Sequence, residues 1–151
     1  MPESFHQLQL DVPIERVWNF VCNPSNWAPL IKGYSTHEWI NDRQSFWKFK
    51  GELGKFKKTV HVRLDITEWL EPKKISFMLT GMNENFKGHG YFSAQSVLPS
   101  QTKITGYLTI TSKGMMRPVI NPLLKTVLPK TTKHLTEAIA QKMTALQTAI
   151  T

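Results

Sequence analysis

The sequence predicts an α+β fold in which a bent antiparallel sheet of about seven strands packs around one long C-terminal helix, with two short helices near the N-terminus. Most of the chain between Tyr34 and Thr111 alternates apolar and polar residues with a period of two, which is typical of strands. After Gly114 the apolar residues recur with a period near 3.6, which is typical of a helix. A length of 151 residues fits one domain, residues 1–151, with a sizeable core.

The N-terminal part predicts one strand followed by two short helices. Leu8 and Leu10 belong to a period-two pattern that predicts a strand over Phe5–Val12. Pro13 fits the first position of a helix, and Asn23-Pro24 supplies a cap and a first residue for the next one. Gly33 is expected to end that second helix.

The central part predicts six strands joined by polar turns. The clearest strand places Val60, Val62, Leu64 and Ile66 on one face and polar residues on the other, as in a sheet with one wet side. The other predicted strands are Tyr34–Ile40, Ser45–Lys50, Ile75–Leu79, Gly88–Leu98 and Lys103–Thr111, and the turns are Asn41–Gln44, Gly51–Gly54, Glu71–Lys73, Gly81–Asn85 and Pro99–Gln101.

The C-terminal part predicts the long helix. Its apolar stripe runs from Ile120 to Ile150, Asn121-Pro122 is a candidate cap for one start, and Pro129 is expected to kink or interrupt the helix. A curved sheet has one apolar face to cover, and this helix is the only long element available. The pairing is expected to leave a cleft in which an apolar ligand sits.

Cysteine usage and apolar segments bear on the location. Cys22 is the single cysteine, so an intramolecular disulfide is excluded and a reducing compartment is favoured. The first ten residues lack the pattern of a secretory signal, and no apolar run approaches the roughly 20 residues of a membrane span. We therefore expect a cytoplasmic protein.

The charge is positive and uneven. The net charge is +8, and no acidic residue occurs between Glu84 and Glu137, although seven Lys and Arg residues do. This basic C-terminal half predicts peripheral contact with an anionic membrane or an acidic protein, and a solvated basic surface is the alternative. Nucleic acid is not expected, because the basic residues lack interleaved aromatic residues.

Catalytic and cofactor motifs are missing from the sequence. The five histidines have no metal-ligand spacing, and there is no phosphate-binding glycine loop or nucleophilic triad, so no metal or cofactor is predicted. Isolated candidates for acid–base chemistry are Glu38, His89, Tyr91 and Tyr107.

Aromatic and aliphatic residues of the predicted sheet, the second short helix and the long helix are candidates for a ligand-binding wall. The aromatic bulk exceeds what a small core usually needs, although filling the core is the competing explanation for each residue. The candidate ligand-binding residues are Trp27, Trp39, Trp47, Phe49, Val62, Leu64, Phe77, Leu79, Phe92, Leu108, Leu124 and Leu128.

This order of elements resembles the START-like/SRPBCC superfamily, also called polyketide cyclase-like, which has the helix-grip fold. The residues that carry the resemblance are Pro13–Trp18, Asn23-Pro24 with Trp27, Gly33, Gly51–Gly54, Glu71-Pro72 and Gly88-x-Gly90. Within the superfamily the chain looks most like the CoxG branch, which takes its name from carbon monoxide dehydrogenase. The resemblance implies a ligand cavity and, for that branch, a link to membranes or lipid-like ligands.

Three functions remain open on the sequence alone. The first is non-catalytic binding or transport of a hydrophobic small molecule such as a lipid, isoprenoid or quinone. The second is a membrane or protein adaptor of the CoxG type. The third is an enzyme related to polyketide cyclases and dehydrases, which requires titratable side chains inside the cavity.

Overall fold

The computed structural model describes residues 3–53, 56–83, 85–115 and 117–150. In these residues the helices are α1 (Ile14–Val21), α2 (Pro24–Trp27) and α3 (Arg117–Ile150), and a 3-10 turn covers Ala28–Leu30. The strands are β1 (Glu3–Leu10), β2 (Tyr34–Trp39), β3 (Gln44–Leu53), β4 (Phe56–Leu70), β5 (Lys74–Gly81), β6 (Phe86–Leu98) and β7 (Gln101–Ser112).

The seven strands form one antiparallel sheet in the order β1-β7-β6-β5-β4-β3-β2. Strands β2 to β7 follow one another as a meander, and β1 pairs with β7, so that β1 and β2 are the two edges. Together with α3 this gives the START-like helix-grip fold that the sequence predicts.

The two faces of the sheet differ as the alternation predicts. Val62, Leu64 and Ile66 are buried on the inner face, which α1, α2 and α3 cover. Their strand neighbours Arg63 and Asp65 lie on the outer face and form an ion pair with a nitrogen–oxygen distance of 2.9 Å. The core therefore occupies one side of the sheet, and the other side meets solvent.

The short helices follow from their caps. Pro13 is the extended residue before α1, one position earlier than predicted, and Val17, Trp18 and Val21 form the buried face of that helix. The Asn23 side chain accepts a hydrogen bond of 3.0 Å from the Ser25 backbone N–H at the start of α2, as predicted.

The long helix corrects two expectations. It begins at Arg117 and runs through both Pro122 and Pro129, so Asn121-Pro122 does not cap a start and Pro129 does not interrupt the helix, while a kink at Pro129 stays a prediction. Asn121 instead bonds to β7: its Oδ1 accepts from the Ser112 N–H at 2.9 Å, and its Nδ2 donates to the Ser112 carbonyl at 3.3 Å. Contacts with the sheet hold the helix together across prolines that sequence rules treat as breaks.

Strand ends also differ from the prediction. Gly51–Leu53, expected as a turn, continue β3, and Leu53 pairs with Phe56. Gly54, the last residue of that predicted turn, lies outside the described residues. Strand β4 is longer than expected because its backbone pairs along the full length of β3 and β5.

Within the part of the chain that the structure describes, no helix has the length and apolar character needed to cross a membrane.

Candidate functional site

The candidate site is a cavity of about 320 Å³ between the inner face of the sheet and α3. The strands supply one wall, the first two-thirds of α3 supply the opposite wall, and residues of the segment Trp27–Lys32 line one end. Lys32 and Lys50 are the charged residues among the described ones that line it. A cavity of this size lies at the low end of small-molecule sites and holds about ten non-hydrogen atoms at ~30 Å³ each.

Stacked aromatic rings form one end of the cavity. The rings of Trp27 and Trp47 stack with centroids 6.1 Å apart, Phe49 lies 5.9 Å from Trp47, and Phe77 lies 6.4 Å from Trp27. The Trp27 indole N–H donates to the Val21 carbonyl at 3.1 Å, and the Trp47 indole N–H donates to Ser45 Oγ at 2.7 Å. Because both polar N–H groups are engaged elsewhere, the cavity meets apolar ring surface.

Two glycines of the sheet, Gly90 and Gly106, lie where other atoms come too close to allow a side chain. A Cβ atom at Gly90 would lie 2.5 Å from the Tyr107 carbonyl oxygen and 3.0 Å from the Phe77 ring, so the glycine leaves room for the neighbouring strand and for that ring. A Cβ atom at Gly106 would lie 2.5 Å from Thr136 Oγ1, so this glycine allows α3 to approach β7. The two glycines therefore set the shape of the space between sheet and helix.

The helix wall is mainly aliphatic. Leu124, Leu128 and Leu135 line the cavity from α3. The threonines of the same wall are Thr131, Thr132 and Thr136. The hydroxyls of Thr132 and Thr136 are engaged, since Thr132 Oγ1 bonds to Ser4 Oγ at 2.6 Å and Thr136 Oγ1 donates to the Thr132 carbonyl at 2.7 Å. The interior thus offers few free polar groups to a ligand.

Eleven of the twelve candidate residues line this cavity, and Trp39 does not. Trp39 lies on the edge strand β2, where its indole N–H donates to Ser25 Oγ at 3.1 Å and its ring borders a separate shallow groove with Pro24 and Trp69. The structure therefore places Trp39 outside the cavity, because its side chain packs against the start of α2 instead. Ligand contact by the other eleven residues stays a prediction.

Several lining residues were not among the candidates. The sequence could have identified Ile110 and Leu135 as lining residues, since the strand and helix periodicities place them on apolar faces. Nothing in the sequence identifies Lys32 as a lining residue, because an isolated lysine beside a glycine is typical of an ordinary surface position.

A polar cluster lies beside the aromatic end. The His37 ring stacks on Trp47 with centroids 4.7 Å apart, its Nδ1 is hydrogen-bonded to Tyr34 Oη at 2.5 Å, and its Nε2 is hydrogen-bonded to Ser25 Oγ at 2.9 Å. Burial lowers the pKa of His37, which favours the neutral ring. The cluster ties α2 to β2, and His37 is not part of the cavity lining.

The candidates for acid–base chemistry lie on the outer face. Tyr91 and Tyr107 stack there with centroids 5.0 Å apart, His89 lies 5.9 Å from Tyr107, and Glu38 is exposed. The Tyr107 hydroxyl donates to Glu3 Oε2 at 2.8 Å, and this hydrogen bond raises the pKa of Tyr107.

Strand alternation explains why these tyrosines still border the cavity. Their neighbours Gly90, Phe92, Gly106 and Leu108 belong to the inner face, so Tyr91 and Tyr107 reach the lining through their backbone while their rings point outward. The described lining accordingly holds no carboxylate or imidazole.

Neither a metal site nor a reactive thiol is indicated by the described residues. They contain no group of three or more His, Cys, Asp or Glu side chains placed to hold a metal ion. Cys22 is half-buried, and this burial raises the pKa of its thiol, which disfavours the thiolate.

Comparison with known proteins extends this picture. A protein-family model whose description reads only "-like" matches residues 1–145. No curated protein matches the chain in sequence.

Solved structures of the same fold are numerous. A START superfamily protein from Mycobacterium smegmatis superposes with a TM-score of 0.74 at 18% identity, covering 95% of this chain and 98% of the other. A conserved protein from Geobacillus kaustophilus gives 0.79 at 15% identity over 93% and 94%. The Zhui aromatase/cyclase from Streptomyces sp. R1128 gives 0.72 at 12% identity over 93% and 92%. At these identities the likeness establishes the fold.

Proposed function

We propose that this chain binds or carries a hydrophobic small molecule without transforming it. The chain belongs to the family whose model matches residues 1–145, and it has the fold of START/SRPBCC proteins. The ligand class is lipid-like, isoprenoid or quinone-like, and its apolar part occupies the cavity between sheet and α3. The observation that supports this most is the cavity lining, in which stacked rings and aliphatic side chains face an open space of about 320 Å³.

The energetics favour an apolar occupant. Moving apolar surface out of water contributes about 25 cal/mol per Å², and the cavity wall offers such surface on nearly every side. A fully hydrated polar molecule would lose its hydrogen bonds to water and find few partners among the lining residues. A cyclase-like reaction is not favoured, since the described lining provides no carboxylate or imidazole to move a proton.

Titration with decan-1-ol tests the proposal, because its tail matches the size of the cavity and its head is uncharged. Binding is measured by isothermal calorimetry and native mass spectrometry on the full chain. Leu108→Trp fills the cavity from β7 and is expected to abolish binding, whereas Leu98→Trp at the exposed end of β6 is the matched control. Circular dichroism checks that both variants fold.

The proposal is contradicted if decan-1-ol fails to bind the wild-type chain, or if Leu108→Trp binds it as well as Leu98→Trp does. Organic extraction of freshly purified protein, followed by mass spectrometry, is expected to identify the natural ligand class.

A second proposed function is peripheral contact with an anionic membrane, as for an adaptor of the CoxG type, with the protein acting in the cytoplasm. Its supporting observation is that Lys113, Lys125, Lys130 and Lys133 are all exposed. Lysines clustered near a membrane surface contribute about 1 kcal/mol each.

Sedimentation with phosphatidylserine-containing vesicles tests this second proposal. Lys125→Glu with Lys130→Glu is expected to release the protein. Lys48→Glu with Lys73→Glu, two exposed lysines outside the basic C-terminal half, is the control of equal net charge. The proposal is contradicted if the wild-type chain sediments with pure phosphatidylcholine vesicles as much as with the phosphatidylserine-containing ones.

A further inference from the structure

Lys32 and Lys50 are the exposed residues of the described lining, so the cavity meets solvent beside them, and this part is called its mouth. Lys32 lies between Ile31, which lines the cavity, and Gly33, which has a positive φ of 87°. The Gly33 carbonyl accepts a hydrogen bond of 2.7 Å from the Lys50 backbone N–H, and a Cβ atom at Gly33 would lie 2.6 Å from the Lys50 carbonyl oxygen. This contact anchors the Lys32 segment to β3 at the rim.

The side chain of Lys32 is exposed and lines the same space. Among the residues whose side chains the structure describes, which do not include Glu52, no carboxylate forms an ion pair with Lys32. Lys50 differs, because strand alternation places Phe49 on the inner face and Lys50 on the outer one, so that its backbone rather than its ammonium borders the cavity. Of the two lysines in the described lining, Lys32 is therefore the one whose exposed side chain is available to a ligand at the rim.

The helix wall adds to the positive field. The stretch of α3 that lines the cavity, from Leu124 to Ile139, contains Lys125, Lys130 and Lys133 and one acidic residue, Glu137, whose carboxylate lies 3.5 Å from His6 Nε2. These lysines are exposed beside the lining positions. The charges of this stretch are therefore net positive, which favours an anion over a cation near the cavity.

We propose that the ligand is an amphipathic anion whose apolar tail fills the cavity and whose carboxylate or phosphate stays at the mouth against Lys32. This inference rests on the proposed function, since it assigns the head group of the molecule that the cavity holds. The arrangement also fixes the direction of entry: the tail enters first, and the charged head keeps its contact with water.

Three ligands with the same ten-carbon tail test the head group: decanoate, decan-1-ol and decyltrimethylammonium. Decanoate is expected to bind the wild-type chain about 1.5- to 5-fold more tightly than decan-1-ol, the range of one solvent-exposed ion pair. Decyltrimethylammonium is expected to bind most weakly. The preference for decanoate is expected to shrink in high salt, where exposed charges are screened.

Variants of Lys32 then assign the preference to this residue. Lys32→Ala is expected to bind decanoate and decan-1-ol equally, and Lys32→Glu is expected to reverse their order, each judged by the ratio of the two affinities in the same variant. Lys48→Glu, on the outer face of β3, changes the net charge by the same amount as Lys32→Glu and is expected to keep the wild-type preference. Thermal unfolding of each variant checks the fold.

The outcomes separate the two proposals. If decan-1-ol and decanoate bind the wild-type chain equally, or if Lys32→Glu keeps the preference for decanoate, the head-group assignment is overturned. The proposal that the cavity binds an apolar molecule is then unaffected. If none of the three ligands binds, both proposals fail.

Discussion

Single residues decide what the cavity offers to a ligand. Trp27 and Trp47 each bury a polar N–H in a hydrogen bond away from the cavity, so that large amphipathic side chains present only their rings. Gly106 omits a side chain where α3 crosses β7. The sequence predicts the apolar character of Trp27 and Trp47, but the partners of their N–H groups depend on contacts between elements that no local pattern encodes.

The first prediction concerns Gly106. Gly106→Ala places a methyl group 2.5 Å from Thr136 Oγ1, which forces the helix away and is expected to lower the free energy of unfolding by about 1–3 kcal/mol. Urea denaturation measures the change. In a Thr136→Ala background the oxygen is gone and the next nearest atom is 3.7 Å away, so the same substitution is expected to cost less. Equal costs in the two backgrounds would contradict this account of Gly106.

The second prediction concerns His37. Burial lowers its pKa in the folded state below the unfolded value of 6.5, so the unfolded chain binds the proton more readily. The stability that the neutral ring contributes is present above pH 6.5 and is expected to be lost as the pH falls through the lower folded pKa. Urea denaturation at several pH values between about 7.5 and 4.5 measures this loss.

His37→Gln is expected to weaken the pH dependence in that window, and His134→Gln on the exposed side of α3 is expected to leave it unchanged. A pH dependence that is identical in wild type and His37→Gln would show that His37 does not cause it.

Whole elements were predicted well wherever one pattern dominates. The alternation in β4 and the Asn23-Pro24 cap of α2 identified those elements from local residues alone. The predicted turn at Gly51–Leu53 was wrong because glycine reads as a turn signal, whereas cross-strand pairing with β4 keeps these residues in β3. The uninterrupted course of α3 through Pro129 depends likewise on packing against β1 and β7.

The third prediction concerns Pro129. An interior proline costs a helix about 3 kcal/mol relative to alanine, and its rigidity in the unfolded chain returns about 1 kcal/mol. Pro129→Ala is therefore expected to raise the free energy of unfolding by about 2 kcal/mol, as measured by urea denaturation. A loss of stability would mean that the proline fits its site on α3 better than helix propensity implies.

At the scale of the whole molecule, the sheet and α3 enclose a space that neither element fills. The sequence predicted this cleft from the mismatch between a curved sheet and one helix, and it identified most of the apolar wall. It did not identify the mouth, because Lys32 reaches the rim through the backbone contact between Gly33 and Lys50, which lie far apart in the chain.

The fourth prediction follows from linkage between binding and folding. A ligand that binds only the folded state at 100 times its dissociation constant adds about 2.7 kcal/mol of stability. For a chain of this size that corresponds to a rise in Tm of roughly 5–10 °C, measurable by differential scanning fluorimetry with decanoate. Leu108→Trp is expected to show no rise, and a rise equal to that of wild type would place the binding elsewhere.

Isotope-filtered nuclear magnetic resonance of the decanoate complex tests the central claim most directly, because it reports which methyl groups touch the ligand tail. The account predicts nuclear Overhauser effects from the tail to the methyl groups of Leu64, Leu79, Leu108 and Ile110, all of which line the cavity. Effects confined to the exposed methyl groups of Leu70 and Leu98, or no effects at all, would contradict a ligand held between the sheet and α3.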